Sequence, residues 1–298
     1  MLSEKELEIY RRVGRIAAEV REEVRRMVKP GELLLNIAET AEELIRSKGA
    51  QPAFPCNVSV NAVAAHYSPP ADDKSRIQEG DVVKVDIGAH IDGYIADTAF
   101  TVAVGGKNQE IAEAVEQVLE KAIGMVKPGV NVGEIGATIE EAAKVAGFRP
   151  IENLTGHELA RWDLHAGITI PNVKEESEQT VKEGDVLALE PFITNGAGEV
   201  EDQPETYIFR FIGVRPVQRR MSLKVLQDIS RLYRSLPFAE RWLAKRMSRI
   251  RLQLTLRDLI NAGAIRPYHV LKEREDGLVA QAEHTLIVTK DGCEVTTR

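Results

Sequence analysis

Glu183-Gly184-Asp185-Val186-Leu187-Ala188-Leu189-Glu190 restates, 104 positions later, the stretch Glu79-Gly80-Asp81-Val82-Val83-Lys84-Val85-Asp86. In both copies a Gly-Asp turn opens a largely apolar run, 82–87 and 186–189, which reads as a strand. Both runs lead to a carboxylate, so the repeat sets Asp86 opposite Glu190. A second match lies upstream. Met27-Val28-Lys29-Pro30-Gly31 recurs as Met125-Val126-Lys127-Pro128-Gly129, and Ile37, Glu42, Glu43 and Gly49 recur as Ile135, Glu140, Glu141 and Gly147. Each copy reads as helix, Lys-Pro-Gly turn, second helix and glycine stop. Either turn alone is generic, but two signals in the same order mark a diverged repeat. The chain is therefore read as an α/β (α+β) fold of two halves, roughly 1–106 and 107–211, plus a late strand. Halves related by a pseudo-twofold leave a cleft between them, a favoured place for a site.

Residues 212–270 break the pattern. Stretches 222–235 and 255–262 carry apolar residues at helical spacing, and Pro216, Pro237 and Pro267 punctuate the segment. The reading is a helical insertion subdomain, 212–270, in a catalytic domain made of 1–211 and 271–298, to whose sheet the β-run 285–289 returns. Charge marks the same boundary. Between 210 and 257 there are 13 Lys and Arg against two acids, Asp228 and Glu240, in a chain of net charge −7. Such a basic block either pairs with the acidic body or forms a face for an anionic partner.

The remaining composition narrows the class. With 43% hydrophobic and 29% charged residues the chain is globular. Its longest stretch free of Asp, Glu, Lys and Arg, 49–71, contains Pro52, Pro55, Asn57, Asn61 and His66, and so does not read as a membrane span. The polar start Met1-Leu2-Ser3-Glu4-Lys5 lacks the apolar core of a secretion signal. Cys56 and Cys293 have no paired spacing, which suits a reducing cytoplasm. Neither GxGxxG nor GxxxxGKS is present.

The candidate chemistry lies at strand ends. A carboxylate emerging from a buried sheet is costly unless paired or bound to metal, and Asp86 and Glu190 share that setting. A hairpin at Ile91-Asp92-Gly93 brings Asp97 beside Asp86. His157 in Thr155-Gly156-His157 and Glu283 in Ala282-Glu283-His284 complete four carboxylates and one imidazole, a donor set for Mn, Fe, Co or Zn. Charge balance favours two divalent ions, since one would leave about two buried negative charges uncompensated. Singly, these residues also read as turn or surface acids and a helix cap. Together they cluster at β-run boundaries, and two obey the repeat. His66 and His165 each precede the Glu-Gly-Asp strand of their half, in loop regions, which favours supporting catalytic roles.

These residues sit in longer motifs: Pro52-Ala53-Phe54-Pro55, Ala64-Ala65-His66-Tyr67, Lys84-Val85-Asp86-Ile87-Gly88, Asp92-Gly93-Tyr94-Ile95-Ala96-Asp97-Thr98, Gly156-His157, Leu164-His165-Ala166-Gly167, Glu190-Pro191-Phe192 and Gln281-Ala282-Glu283-His284-Thr285. With them the chain resembles the type 2 methionine aminopeptidases, in the short form, over essentially its whole length and with no departure at a ligand position. The resemblance implies a pita-bread fold and removal of the initiator methionine from nascent chains in the cytoplasm by a metal-activated hydroxide. It implies two divalent ions (Co, Mn, Fe or Zn), bridged by Asp97 and Glu283, with Asp86 on one and His157 and Glu190 on the other. Glu190 would also relay a proton. His66 and His165 would position substrate and stabilise the tetrahedral intermediate, and Phe54, Leu164, His165 and Tyr268 would line the methionine pocket. The 212–270 insertion agrees with type 2. A proline-specific peptidase of the same fold and a non-catalytic binding relative are the alternatives.

Overall fold

A computed structural model describes residues 2–298. The two halves repeat one element order. Helices Glu4–Arg25 and Leu34–Ser47 precede strands Gln51–Pro52, Asn57–Val60, Val63–Ala65 and Val82–Ile91. Helices Gln109–Ile123 and Val132–Val145 precede strands Arg149–Pro150, Thr155–Ala160, Asp163–Pro171 and Val186–Leu189. The Lys-Pro-Gly turns end at Gly31 and Gly129, both with positive φ (84° and 87°), a conformation open to glycine. Strand pairing repeats too. Val82–Ile91 pairs with Gln51–Pro52 and Asn57–Val60, and Val186–Leu189 pairs with Thr155–Ala160.

The halves differ at one connection. In the first, Val82–Ile91 pairs with Tyr94–Ala103 through a two-residue turn, with Asp92 and Gly93 at φ 51° and 88°. Paired positive φ values are those of the tight turn that matches strand twist. In the second, the partner of Val186–Leu189 is His284–Val288, so this hairpin is opened and nearly a hundred residues run between its strands.

Period-two alternation decides what faces the site. Val83, Val85, Ile87 and Ala89 pack under the first helix pair, with Ile16, Val20, Ile37 and Ala41. Leu187, Leu189, Leu286 and Val288 pack under the second, with Val115, Val118, Ile135 and Ile139. The alternate residues, including Asp86 and Asp97, face inward between the halves. The two sheets also touch directly: Ala99 and Glu283 form an antiparallel bridge, with Glu283 N–H donating to the Ala99 carbonyl at 3.0 Å.

The inserted segment is not purely helical. Its helices are Arg220–Leu232, Glu240–Ala244 and Arg249–Asn261, the first and last shifted from the stretches read in the sequence and the second not foreseen. It also supplies strand Pro237–Ala239, which pairs with Val200–Phe211. Val200–Phe211 pairs in turn with Ile265–Glu273, so residues 265–270 belong to a strand that crosses the boundary drawn at 270. The apolar 3–4 spacing found two of the helices, while Tyr268 and His269 fell inside the 212–270 segment because a proline-broken strand carries no clear alternating signature. Among the described residues, no helix is long and apolar enough to cross a membrane.

Candidate metal centre

Five side chains converge where the sheets meet. Asp86 lies on Val82–Ile91 and Asp97 on Tyr94–Ala103. They are not directly opposite: Asp86 pairs with Ala99, and Asp97 with Gly88. They are diagonal neighbours on one face, and Gly88 leaves room there, since a Cβ would lie 2.1 Å from the Phe54 ring. His157 lies on Thr155–Ala160, Glu190 follows Val186–Leu189, and Glu283 precedes His284–Val288. Potential donor atoms of Asp97, His157 and Glu283 all fall within 4.8 Å of one another. His157 Nε2 is 3.4 Å from Glu190 Oε1 and 3.9 Å from Asp97 Oδ2.

The electrostatics of this cluster call for cations. Asp97, His157 and Glu283 are buried, and Asp86 Oδ1, Asp97 Oδ1 and Glu283 Oε1 have no hydrogen-bond partner. Buried oxygens without partners are expensive. Burial, then the neighbouring Glu190 charge, pushes Asp86 up to about 7. Burial pushes Glu190 up to about 8. Asp97 and Glu283 are also raised, by burial first and then by the adjacent carboxylates. Burial draws His157 down to about 4, which leaves it a neutral ligand. Oxygen-rich donors with one neutral imidazole fit divalent metal ions, and bound cations would supply the charge that the protein withholds.

A cavity of about 210 Å³ opens beside the cluster. Phe54, His66, Leu164, His165 and Tyr268 all line it. His66 lies just past strand Val63–Ala65, with a left-handed φ of 63°, a costly conformation for a non-glycine residue. Its Nδ1 donates to the His269 carbonyl at 3.0 Å, and burial lowers its pKa. A neutral ring that spends Nδ1–H in this way offers Nε2 as an acceptor. His165 was read as a loop residue, but it lies inside strand Asp163–Pro171, where its ring lines the cavity at a solvent-open position next to buried Leu164. Its ring centroid is 4.4 Å from that of His157 and 6.4 Å from that of Tyr268. Burial, followed by the His157 and His66 rings, draws its pKa down to about 3.

Sequence reading missed other participants. Asn57 Nδ2 donates to Asp86 Oδ2, and Gln281 Nε2 to Glu190 Oε2, both at 3.3 Å. Phe192, Ile208 and Pro237 also line the cavity. Phe192 and Gln281 fall within the motifs quoted above, whereas Ile208 and Pro237 belong to the paired strands bordering the insertion and carry no local signal.

Residues 8–290 match the sequence model of metallopeptidase family M24. The methionine aminopeptidase of Methanothermobacter thermautotrophicus is 48% identical over 296 residues, covering 98% of this chain and 99% of that relative. The enzyme of the same name from Methanocaldococcus jannaschii is 45% identical, covering 98% of this chain and all of that relative. Among solved structures, the methionine aminopeptidase of Thermotoga maritima superposes with a TM-score of 0.74 at 24% identity, over all of this chain and 98% of that one. The mixed α/β architecture is thus the pita-bread fold that the sequence implied.

Proposed function

Because this chain belongs to metallopeptidase family M24, we propose that it is a methionine aminopeptidase, removing the initiator methionine from new polypeptides. The observation that carries the reading is the juxtaposition of the buried donor cluster with a small cavity walled by aromatic and aliphatic side chains. Asp86, Asp97, His157, Glu190 and Glu283 would hold two divalent ions (Co, Mn, Fe or Zn), Asp97 and Glu283 being shared between them. When bound, the ions lower the pKa of water and polarise the scissile carbonyl.

The chain's own residues do the rest. Phe54, Leu164, His165 and Tyr268 bound a slot for an unbranched thioether. His66 accepts a substrate N–H at Nε2, and His165, beside His157, supports the reacting carbonyl. Glu190, oriented by Gln281, accepts a proton and returns it to the departing amine. Chains carrying an initiator methionine exist where proteins are made, which places the enzyme in the cytoplasm.

The basic insertion supports contact with the ribosome. Lys245 pairs with Glu39 and Arg249 with Asp72 on the body. Arg219 and Arg231 pair with Asp258 and Asp228 inside the insertion. Arg220, Arg246 and Arg251 form no ion pair among the described residues, so charge remains for an anionic partner.

The function is tested by amino-acid release from Met-Ala-Ser and Ala-Pro-Ser with added Mn or Co. Methionine release from the first, with little turnover of the second, is expected. Faster cleavage of Ala-Pro-Ser would instead establish the proline-specific reading, and no cleavage of either would point to a binding protein.

A further inference from the structure

Away from the metal centre, the least exposed ion pair in the molecule joins the insertion to the body. Glu42, on helix Leu34–Ser47, is 3% exposed, and Arg241, on Glu240–Ala244, is 1% exposed. Charges this deep are costly unless fully partnered, and these nearly are. Glu42 Oε1 accepts the Arg241 guanidinium and, at 3.2 Å, the Cys56 N–H. Glu42 Oε2 accepts Trp242 Nε1–H at 2.7 Å. Arg241 Nη1 donates to Ser68 Oγ at 2.5 Å and to the Pro69 carbonyl at 3.3 Å, and Ser68 Oγ donates to the Cys56 carbonyl at 2.8 Å.

None of these atoms reaches the cavity, yet each segment they hold contributes to its wall. Cys56 lies between Phe54 and Asn57, both of which line the cavity. Ser68 is two residues beyond His66, whose left-handed backbone needs support from its surroundings. Arg241 is four residues beyond Pro237, and the strand Pro237–Ala239 pairs Ala239 with Ile208, another wall residue. Three wall segments distant in sequence therefore meet at one buried charge pair.

We propose that Glu42 and Arg241 are positioning residues that set the width of the side-chain slot by locking the insertion strand against the Phe54 and His66 segments. The inference rests on reading this cavity as the methionine pocket. It makes the insertion part of the specificity apparatus of the enzyme. An apolar slot distinguishes side chains by packing, so small displacements of one wall alter selectivity.

The test compares the parent with a double variant, Glu42→Leu with Arg241→Met, which removes both charges and leaves neither buried alone. Kinetics on Met-Ala-Ser and Leu-Ala-Ser are measured beside metal content and urea unfolding. KM for the methionyl peptide should rise about tenfold, and the preference over leucine should fall by about as much. Metal content should be unchanged and kcat should stay within about threefold of the parent. Arg241→Lys, which keeps the charge but loses the two-pronged donor, should fall between. Unchanged KM and selectivity in both variants would overturn the proposal, as would loss of kcat and metal with selectivity intact. Failure of the parent itself to release methionine would overturn the functional reading and this inference together.

Discussion

Asp97 and Thr285 are joined by two hydrogen bonds: the Asp97 N–H donates to Thr285 Oγ1 at 2.7 Å, and Thr285 Oγ1 donates back to the Asp97 carbonyl at 2.8 Å. The pair stitches the first-half sheet to the second beside the carboxylates of Asp97 and Glu283. Thr285→Val keeps the shape but strands a buried donor and acceptor. Unfolding free energy should drop by about 1–3 kcal/mol, read from urea melts at constant m-value. Metal affinity should weaken about 10–100-fold, as when a supporting contact to a ligand is lost. An unaltered melt and metal titration would show the stitch to be dispensable.

Removing a carboxylate proposed to bridge the ions should have a larger effect. Asp97→Asn or Glu283→Gln should lose at least one ion by elemental analysis, together with nearly all turnover. The donor atoms of these residues converge with His157, so neither substitution leaves an equivalent anionic bridge. Full metal occupancy with near-normal turnover in Asp97→Asn would contradict the ligand assignment.

His66 behaves differently, because its Nδ1 is engaged by the His269 carbonyl and not by the carboxylate cluster. His66→Ala should retain its metal while turnover falls ~10²–10³-fold. A variant that lost its ions would place the imidazole among the ligands.

A pH effect on stability is expected from His90, which sits outside the metal centre on strand Val82–Ile91. Its Nδ1 accepts the Gly93 N–H at 3.2 Å, and its ring lies 4.9 Å from that of Trp162. Burial draws its pKa down to about 4, against a small opposing pull from Asp92. Between pH 4 and the unfolded value near 6.5 the unfolded chain binds the extra proton, so stability falls as pH falls through this window. The full difference corresponds to roughly 3 kcal/mol. His90→Gln should lose less stability than the parent between pH 7 and pH 4 in urea titrations. Matching pH profiles would mean that His90 titrates alike in both states.

Ribosome association should depend on salt. Co-sedimentation at rising ionic strength should fall for the parent. Substitution of Arg219, Arg220, Lys245, Arg246 and Arg249 by Ser should abolish it without impairing cleavage of short peptides. The exposed pairs of Lys245 and Arg249 with the body are worth at most about 1 kcal/mol each, so their loss should cost little stability. Undiminished binding by the variant would remove the insertion charge from the contact.

Local signals accounted for much of the site. Asp86 and Glu190 were legible because a carboxylate follows an aliphatic run twice at matching places, although Asp86 lies inside strand Val82–Ile91 and only Glu190 ends its strand; Asp97 was legible because Asp92-Gly93 specifies a tight hairpin. His157 was read from its place at a β-run boundary and His66 from its place before the Glu-Gly-Asp strand, whereas Phe54, Leu164 and Tyr268 were implied only by the family resemblance. Asn57, Ile208 and Pro237 escaped, since an amide, an isoleucine and a proline carry no chemistry until something large brings them to one cavity.

The sequence by itself determined the local geometry: two helix pairs stopped by Gly49 and Gly147, strands opened by Gly-Asp turns, and an alternation that puts aliphatic residues under helices and carboxylates on the opposite face. Those features depend on backbone preference and side-chain period, which act over a few residues. Only the tertiary structure decided how Glu283, already a candidate, is brought against Asp97. Asp86 and Asp97 share a hairpin, but the hairpin that brings Glu190 to Glu283 is interrupted by the insertion, and its pairing of Val186–Leu189 with His284–Val288 is non-local. Likewise, Glu42 and Arg241 are 199 positions apart. Neither residue has a local reason to be buried, and each is made tolerable only by the other once the insertion has docked.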